Sequence, residues 1–282
     1  MTTEELDRLI EDLEGQRREA FVRAVMRQAE SDDVVGYMGR RVPVEIFEAL
    51  GLLALPVQAV DGDILEDSLD GGRGLCPLIE ATLTYAKTDR CPLIHSSRLI
   101  VVDDACPIMA REMEALTNVM GKAVHVYRAG GPAASTRLCD ALEDVYGRRL
   151  DAGALDAARA RRGEIEALLR RLERRPDLTG MQVYILRWYI EFIPMDERLR
   201  ILRDVSEAEA LTTEPMAYTP VHVQSGAGIY RQIDRLMAGR PYRIVEGEGP
   251  WDFVFTSCPF HEGTRIGYER AQREASHAAL DL

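Results

Sequence analysis

Leu6, Ile10, Leu13, Phe21, Val25 and Met26 recur near helical period, and Thr2 and Glu5 have capping-box spacing, so residues 2–30 are expected to form a helix. The pattern then changes. Val34 to Tyr37 is a short apolar run, Pro43 suits a first helical turn, Gly51 suits a C-terminal cap, and Leu52 to Val57 is a second apolar run. Strand, helix and strand in that order begin a parallel α/β unit. Asp61 to Gly74 is acidic, glycine-rich and without apolar periodicity, which reads as a loop. Helical spacing resumes at Ile79, Leu83 and Ala86. Leu99 to Val102 reads as a buried strand, Pro107 to Leu116 as a helix and Ala123 to Tyr127 as another strand.

From Thr136 to Leu211 the apolar positions are almost wholly helical, with Asp151 and Thr179 as expected N-caps and Pro176 and Pro194 as expected breaks. Strand-like runs return at YTPVHV, YRIV and DFVF, with a Gly226-Ala227-Gly228 turn that reads as a plain tight turn more readily than as a phosphate loop. The expected class is α/β, with two parallel-sheet domains joined by a helical layer. The expected divisions are an N-terminal helical arm (1–30), a first α/β domain (31–135), a helical layer (136–212) and a second, small α/β domain (213–282).

Composition narrows the partners. The net charge of −12 opposes binding to a polyanion, so no nucleic-acid partner is expected. No apolar run reaches the roughly 18 residues of a membrane span, and the acidic start is unlike a signal peptide, so no membrane partner and a cytoplasmic location are expected. In that compartment five cysteines are thiols or metal ligands more readily than disulfides. The arginine run from Arg159 to Arg175 is interleaved with Glu164, Glu166 and Glu173 and reads as a solvated helix face.

The cysteines carry the candidate chemistry. Cys76, Cys91 and Cys106 lie fifteen residues apart, and these three and Cys258 are each followed by proline. This composition would give about one Cys-Pro pair in every four chains by chance. Structural zinc knuckles and ferredoxin motifs use much closer spacings, so neither pattern fits. Proline after each cysteine fixes the backbone and starts a helix or loop, leaving the sulfur free to project into a cleft. Two readings remain on spacing alone: a cluster held at the ends of secondary-structure elements, and cysteines buried for packing. Cys139 shares a helical stripe with Leu138 and Leu142 and reads as packing. His95, His125, His222 and His261 show no ligand-pair spacing, although His261 lies three residues beyond Cys258. Asp103 and Asp104 precede Cys106 and could hydrogen-bond near it. No general base is assigned.

The segments DDVVGYMGRRVPVEIFEALGLLALPV, LCPLIEATLTYA, RCPLIHSSRLIVVDDACPIMAREMEAL and DFVFTSCPF, with the helix pair LCDALEDVYGRRLDAGALDAARA, resemble the iron-sulfur subunits of the (R)-2-hydroxyacyl-CoA dehydratase and benzoyl-CoA reductase family. The three-cysteine arrangement is closest to the family's double-cubane-cluster relatives. The resemblance implies two flavodoxin-like domains with a [4Fe-4S] cluster between them, held by Cys76, Cys106 and Cys258, with Cys91 at the additional double-cubane position. It also implies a homologous partner subunit or a homodimer, an ATP-dependent iron-sulfur activator, and ketyl-radical dehydration of a 2-hydroxyacyl-CoA under anaerobic conditions. The alternatives are a redox or electron-transfer reductase subunit, and a non-catalytic paralogue with a structural or cluster-delivery role.

Three departures qualify the likeness. Relatives place Lys or Arg and then Ser after the first Cys-Pro, where this chain has Glu80, Ala81 and Thr82. The cysteines of a second cubane are missing from YTPVHVQSGAG and YRIVEGEGP, so one cluster is expected. The chain ends 24 residues after Cys258, so the second domain is expected to be shortened.

Overall fold

The computed structural model describes residues 2–39, 41–58, 77–88, 91–104, 106–130, 133–175 and 177–208, with three strands at 219–223, 242–245 and 253–255. Helix α1 (Thr3–Glu30) starts at the expected capping box. The Glu5 backbone N–H donates to Thr2 Oγ1 at 3.2 Å, and the Thr2 backbone N–H donates to Glu5 Oε2 at 2.6 Å. Two helix-terminal donors are thereby satisfied by one residue pair.

The first sheet comprises β1 (Val34–Met38), β2 (Leu53–Pro56), β3 (Leu99–Asp103) and β4 (Ala123–Tyr127). All pairings are parallel, in the order β2-β1-β3-β4. Helices α2 (Val44–Ala49), α3 (Pro77–Lys87), α4 (Pro92–Ser96) and α5 (Pro107–Met120) lie in the connections between these strands, and α6 (Ala134–Tyr146) follows β4. Strand periodicity divides the buried side chains between two faces. Val34, Met38, Ile100 and Val102 pack with Ala20 and Ala24 of α1 and with α3, α4 and α5. Val35, Tyr37, Leu99 and Val101 point the other way, against Phe47 of α2 and Leu138 and Leu142 of α6. A one-residue slip of β1 or β3 would exchange these faces, so the alternation sets the register.

The helical layer consists of α7 (Ala152–Leu172), α8 (Gly180–Tyr189), a 3₁₀ turn at Ile190–Phe192 and α9 (Met195–Glu207). Both expected N-caps form: Asp151 Oδ1 accepts from the Ala154 N–H at 2.8 Å, and Thr179 shares a capping box with Gln182. Leu6, Ile10 and Leu13 of α1 are buried with Ile165, Leu186, Ile190 and Leu202 of this layer. Helix α1 therefore packs against the helical layer through its N-terminal half and against the sheet's helices through its C-terminal half.

Buried ionic groups join the layers. Glu191 accepts from Arg162 and Arg198, each at 2.8 Å, and from the Tyr37 hydroxyl of β1 at 3.0 Å. Burial pushes the Glu191 carboxyl up, but Arg198 and Arg162 outweigh it and bring the pKa down to about 2. Asp33 receives hydrogen bonds from Arg27, Ser31 and Arg148, and these hold its carboxyl below the ordinary range against the opposing effect of burial. The arginine run thus differs from a solvated face at Arg161, which pairs with Glu48 of α2, at Arg162, which reaches Glu191, and at Arg175, which is buried and pairs with Asp177 at 2.5 Å. Interleaved glutamates in sequence do not reveal partners that lie on other helices.

The second group of strands is β5 (Thr219–Val223), β6 (Tyr242–Val245) and β7 (Phe253–Phe255), all parallel in the order β6-β5-β7. The loop expected at Asp61 to Gly74 and the Gly226-Ala227-Gly228 turn lie outside the described residues.

Candidate functional site

In parallel sheets the carboxyl ends of the strands, near the point where strand order reverses, form the usual ligand crevice. Here that point lies between β1 and β3. Cys106 follows β3 by three residues and is the N-cap of α5. Its backbone is extended (φ −115°, ψ 99°), and Pro107 takes the first helical position, where its missing N–H costs no helix bond. The Met109 N–H donates to Cys106 Sγ at 3.5 Å. A sulfur at a helix N-terminus accepting from backbone N–H is electrostatically suited to carry negative charge. Cys106 is only partly buried, with its apolar side against the same cluster that contains Ile100, Val102 and Met113.

The loop beside Cys106 is held by the two aspartates. Asp103 is 4% exposed, and its Oδ2 accepts from the Arg41 N–H at 2.9 Å. This locks the turn after β1 against the end of β3. Gly39 makes the turn possible: its φ is +98°, and a Cβ there would lie 2.2 Å from the Asp103 carboxylate. Asp104 Oδ1 pairs with Arg41 at 3.5 Å and accepts from the Ala129 N–H at 3.3 Å, drawing the loops after β1, β3 and β4 together. The aspartates thus shape the edge by fixing backbone. The sequence signal was a glycine directly after one strand and an aspartate ending the next; it does not show that the two meet.

Cys91 is the N-cap of α4, and Pro92 again begins the helix. Its environment is different from that of Cys106. It is 3% exposed within the core, and burial pushes its thiol pKa up. Cys76 immediately precedes Pro77, the first residue of α3, and α3 packs beside α5. Cys258 follows β7 by three residues. Cys76 and Cys258 themselves lie outside the described residues, as does His261, whereas His222 lies on β5 in register with Val245 of β6 and Val254 of β7. Among the described residues no three His, Cys, Asp or Glu side chains are grouped to hold a metal ion. Cys106 therefore fits a cluster ligand by its partial exposure and its place at the strand end. Cys91 fits a packing role by its burial.

Cys139 is half-buried beside Leu138 and Leu142, and burial raises its thiol pKa. His95 is exposed on α4, and its carbonyl accepts from Lys122 Nζ. His125 is half-buried on β4, where burial and then Arg137 and Arg128 lower its pKa. None of the described helices is long and apolar enough to cross a membrane. Compared with models of known protein families and with curated proteins, the chain matches none.

Proposed function

We propose that this protein is the iron-sulfur subunit of a cytoplasmic dehydratase that removes water from a 2-hydroxyacyl-CoA. Two flavodoxin-like domains would hold one [4Fe-4S] cluster through Cys76, Cys106 and Cys258, with Cys91 as a further candidate. One observation carries the reading. The sheets share the order second-first-third strand, and in each a Cys-Pro pair lies three residues past the third strand: Cys106 after β3 and Cys258 after β7. Equivalent sheet edges supplying matched thiols suit a group held between two halves of a protein better than they suit unrelated packing cysteines.

When bound, a [4Fe-4S] cluster supplies one-electron chemistry and an iron centre that can polarise a thioester carbonyl. The chain's own residues prepare the edge. Cys106 caps α5, accepting a hydrogen bond from the Met109 N–H, and Pro107 fixes the direction in which the chain leaves it. Asp103 and Asp104 hold the flanking loops. A homologous subunit or a second copy, and an ATP-dependent iron-sulfur activator as electron donor, complete the proposed system. A cytoplasmic setting suits the requirement for reduced thiolates.

Glu80, Ala81 and Thr82 stand where relatives carry a basic residue and serine. This favours a second reading, a reductase or electron-transfer subunit without a site for an anionic thioester. Electron paramagnetic resonance of the anaerobic, reduced protein separates the two. A cluster signal that shifts with a 2-hydroxyacyl-CoA supports the dehydratase. A signal unmoved by any acyl-CoA, but shifted by a small redox substrate, supports the reductase.

A further inference from the structure

Among the described residues, the large hydrophobic side chains left exposed are Val22, Val25 and Met26, at 54%, 49% and 56% exposure. All three lie within five residues on α1. Gly15, Glu19, Val22 and Met26 follow one another at intervals of four, three and four residues, so they run in one line along the helix. Toward its N-terminal end this line enters a groove of about 580 Å³ between α1 and α9.

The groove has an apolar floor that includes Leu13 and Ile201, beneath an acidic rim of Glu11, Asp12, Glu19, Glu197 and Asp204. The lining cation, Arg200, is already shared by Glu197 at 3.6 Å and Asp204 at 3.4 Å, and Arg23 faces Glu19 and Glu197. Glu11 and Asp12 pair with no cation among the described residues. Gly15 also lines the groove, and a Cβ there would meet nothing within 4 Å. Glycine is among the poorest residues for a helix interior, and no neighbour among the described residues requires it at this position. Its remaining use is to let an external backbone come close.

We propose that the outer face of α1, from Glu11 to Met26, docks a basic amphipathic helix of a partner protein. The partner's apolar side chains cover Val22, Val25 and Met26, its Lys or Arg residues meet the acidic rim, and its backbone passes closest over Gly15. Charge decides the occupant. A second copy would set this acidic rim against a chain whose own net charge is −12, whereas a basic helix neutralises the rim. The acids are too dispersed to act as a metal site among the described residues. This inference is independent of the cluster reading.

The test uses the full chain and a fluorescent 18-residue peptide of Lys, Leu and Ala with its Leu residues at helical spacing, followed by anisotropy. The wild type is expected to bind it. Joint Glu11→Lys, Asp12→Lys and Glu19→Lys substitution weakens binding about tenfold or more, and Met26→Ser weakens it several-fold. Gly15→Leu raises helix propensity, so it keeps α1 folded while blocking close approach, and it too weakens binding about tenfold. Equal binding by all variants, or no binding by the wild type, overturns the proposal. So does a sedimentation profile in which the wild type dimerises and Met26→Ser is monomeric, because the occupant is then a second copy.

Discussion

Replacing Glu191 by glutamine keeps the shape of the side chain and removes the charge that Arg162 and Arg198 share. The carboxylate is 13% exposed, and it accepts from both guanidinium groups at 2.8 Å and from Tyr37 at 3.0 Å. A carboxyl group that titrates at about 2 in the folded state and at 4.5 unfolded contributes about 3 kcal/mol to stability at neutral pH. Glu191→Gln loses that contribution and leaves two mostly buried arginines facing a neutral amide, so the expected cost is about 3–5 kcal/mol. Because the folded pKa is depressed, the stabilisation is present above the unfolded value and is lost as pH falls toward 2. Urea unfolding monitored by circular dichroism at pH 7, 4 and 3 should therefore show the gap between wild type and Glu191→Gln narrowing with acidity. Tyr37→Phe, which removes one donor and no charge, should cost about 1 kcal/mol. A gap below about 1 kcal/mol at pH 7, or one that does not change down to pH 3, would refute this account of the joint between sheet and helical layer.

Gly39→Ala should lower stability by about 2–3 kcal/mol in the same urea assay, because the new methyl group meets the Asp103 carboxylate at a positive φ. Thr179→Ala removes the cap of α8 and should cost about 1 kcal/mol, measured as a shift of the urea midpoint without a change of slope. After treatment with a metal chelator, iodoacetamide at pH 8 should modify Cys106 at least tenfold faster than Cys91, read by peptide mass spectrometry, because Cys91 is 3% exposed and burial raises its pKa.

Much of the fold was legible because local patterns decide it. The Thr2–Glu5 capping box, the Asp151 and Thr179 caps, and β4 at Ala123–Tyr127 form where the periodicity placed them. The parallel character of the first sheet followed from strands alternating with helices. What the chain did not display locally is any contact between distant residues. Tyr37 and Glu191 are 154 positions apart, and neither sits in a pattern that names the other. Arg162 looked like one more member of a charged helix face, and it does pair with Glu166 there at 3.1 Å, but its second partner, Glu191, lies on the 3₁₀ turn.

The candidate site divides in the same way. The positions of Cys91 and Cys106 at helix starts were readable from the following prolines, because proline is favoured at the first helical position. Their difference in burial was not, since both helices cover the same sheet face and the difference depends on how deeply each N-cap sits in that one cluster. That Cys258, like Cys106, follows the end of a buried apolar strand was readable from the runs before them; the strand orders β2-β1-β3 and β6-β5-β7 add that the two strands hold equivalent places in their sheets.

The most direct test of the cluster claim is iron and acid-labile sulfide measured per chain on protein purified without oxygen. The account predicts the [4Fe-4S] stoichiometry in the wild type and in Cys139→Ser, and its loss in Cys76→Ser, Cys106→Ser and Cys258→Ser. A wild-type protein without iron and sulfide, or a Cys106→Ser protein that retains both at the wild-type level, would contradict it.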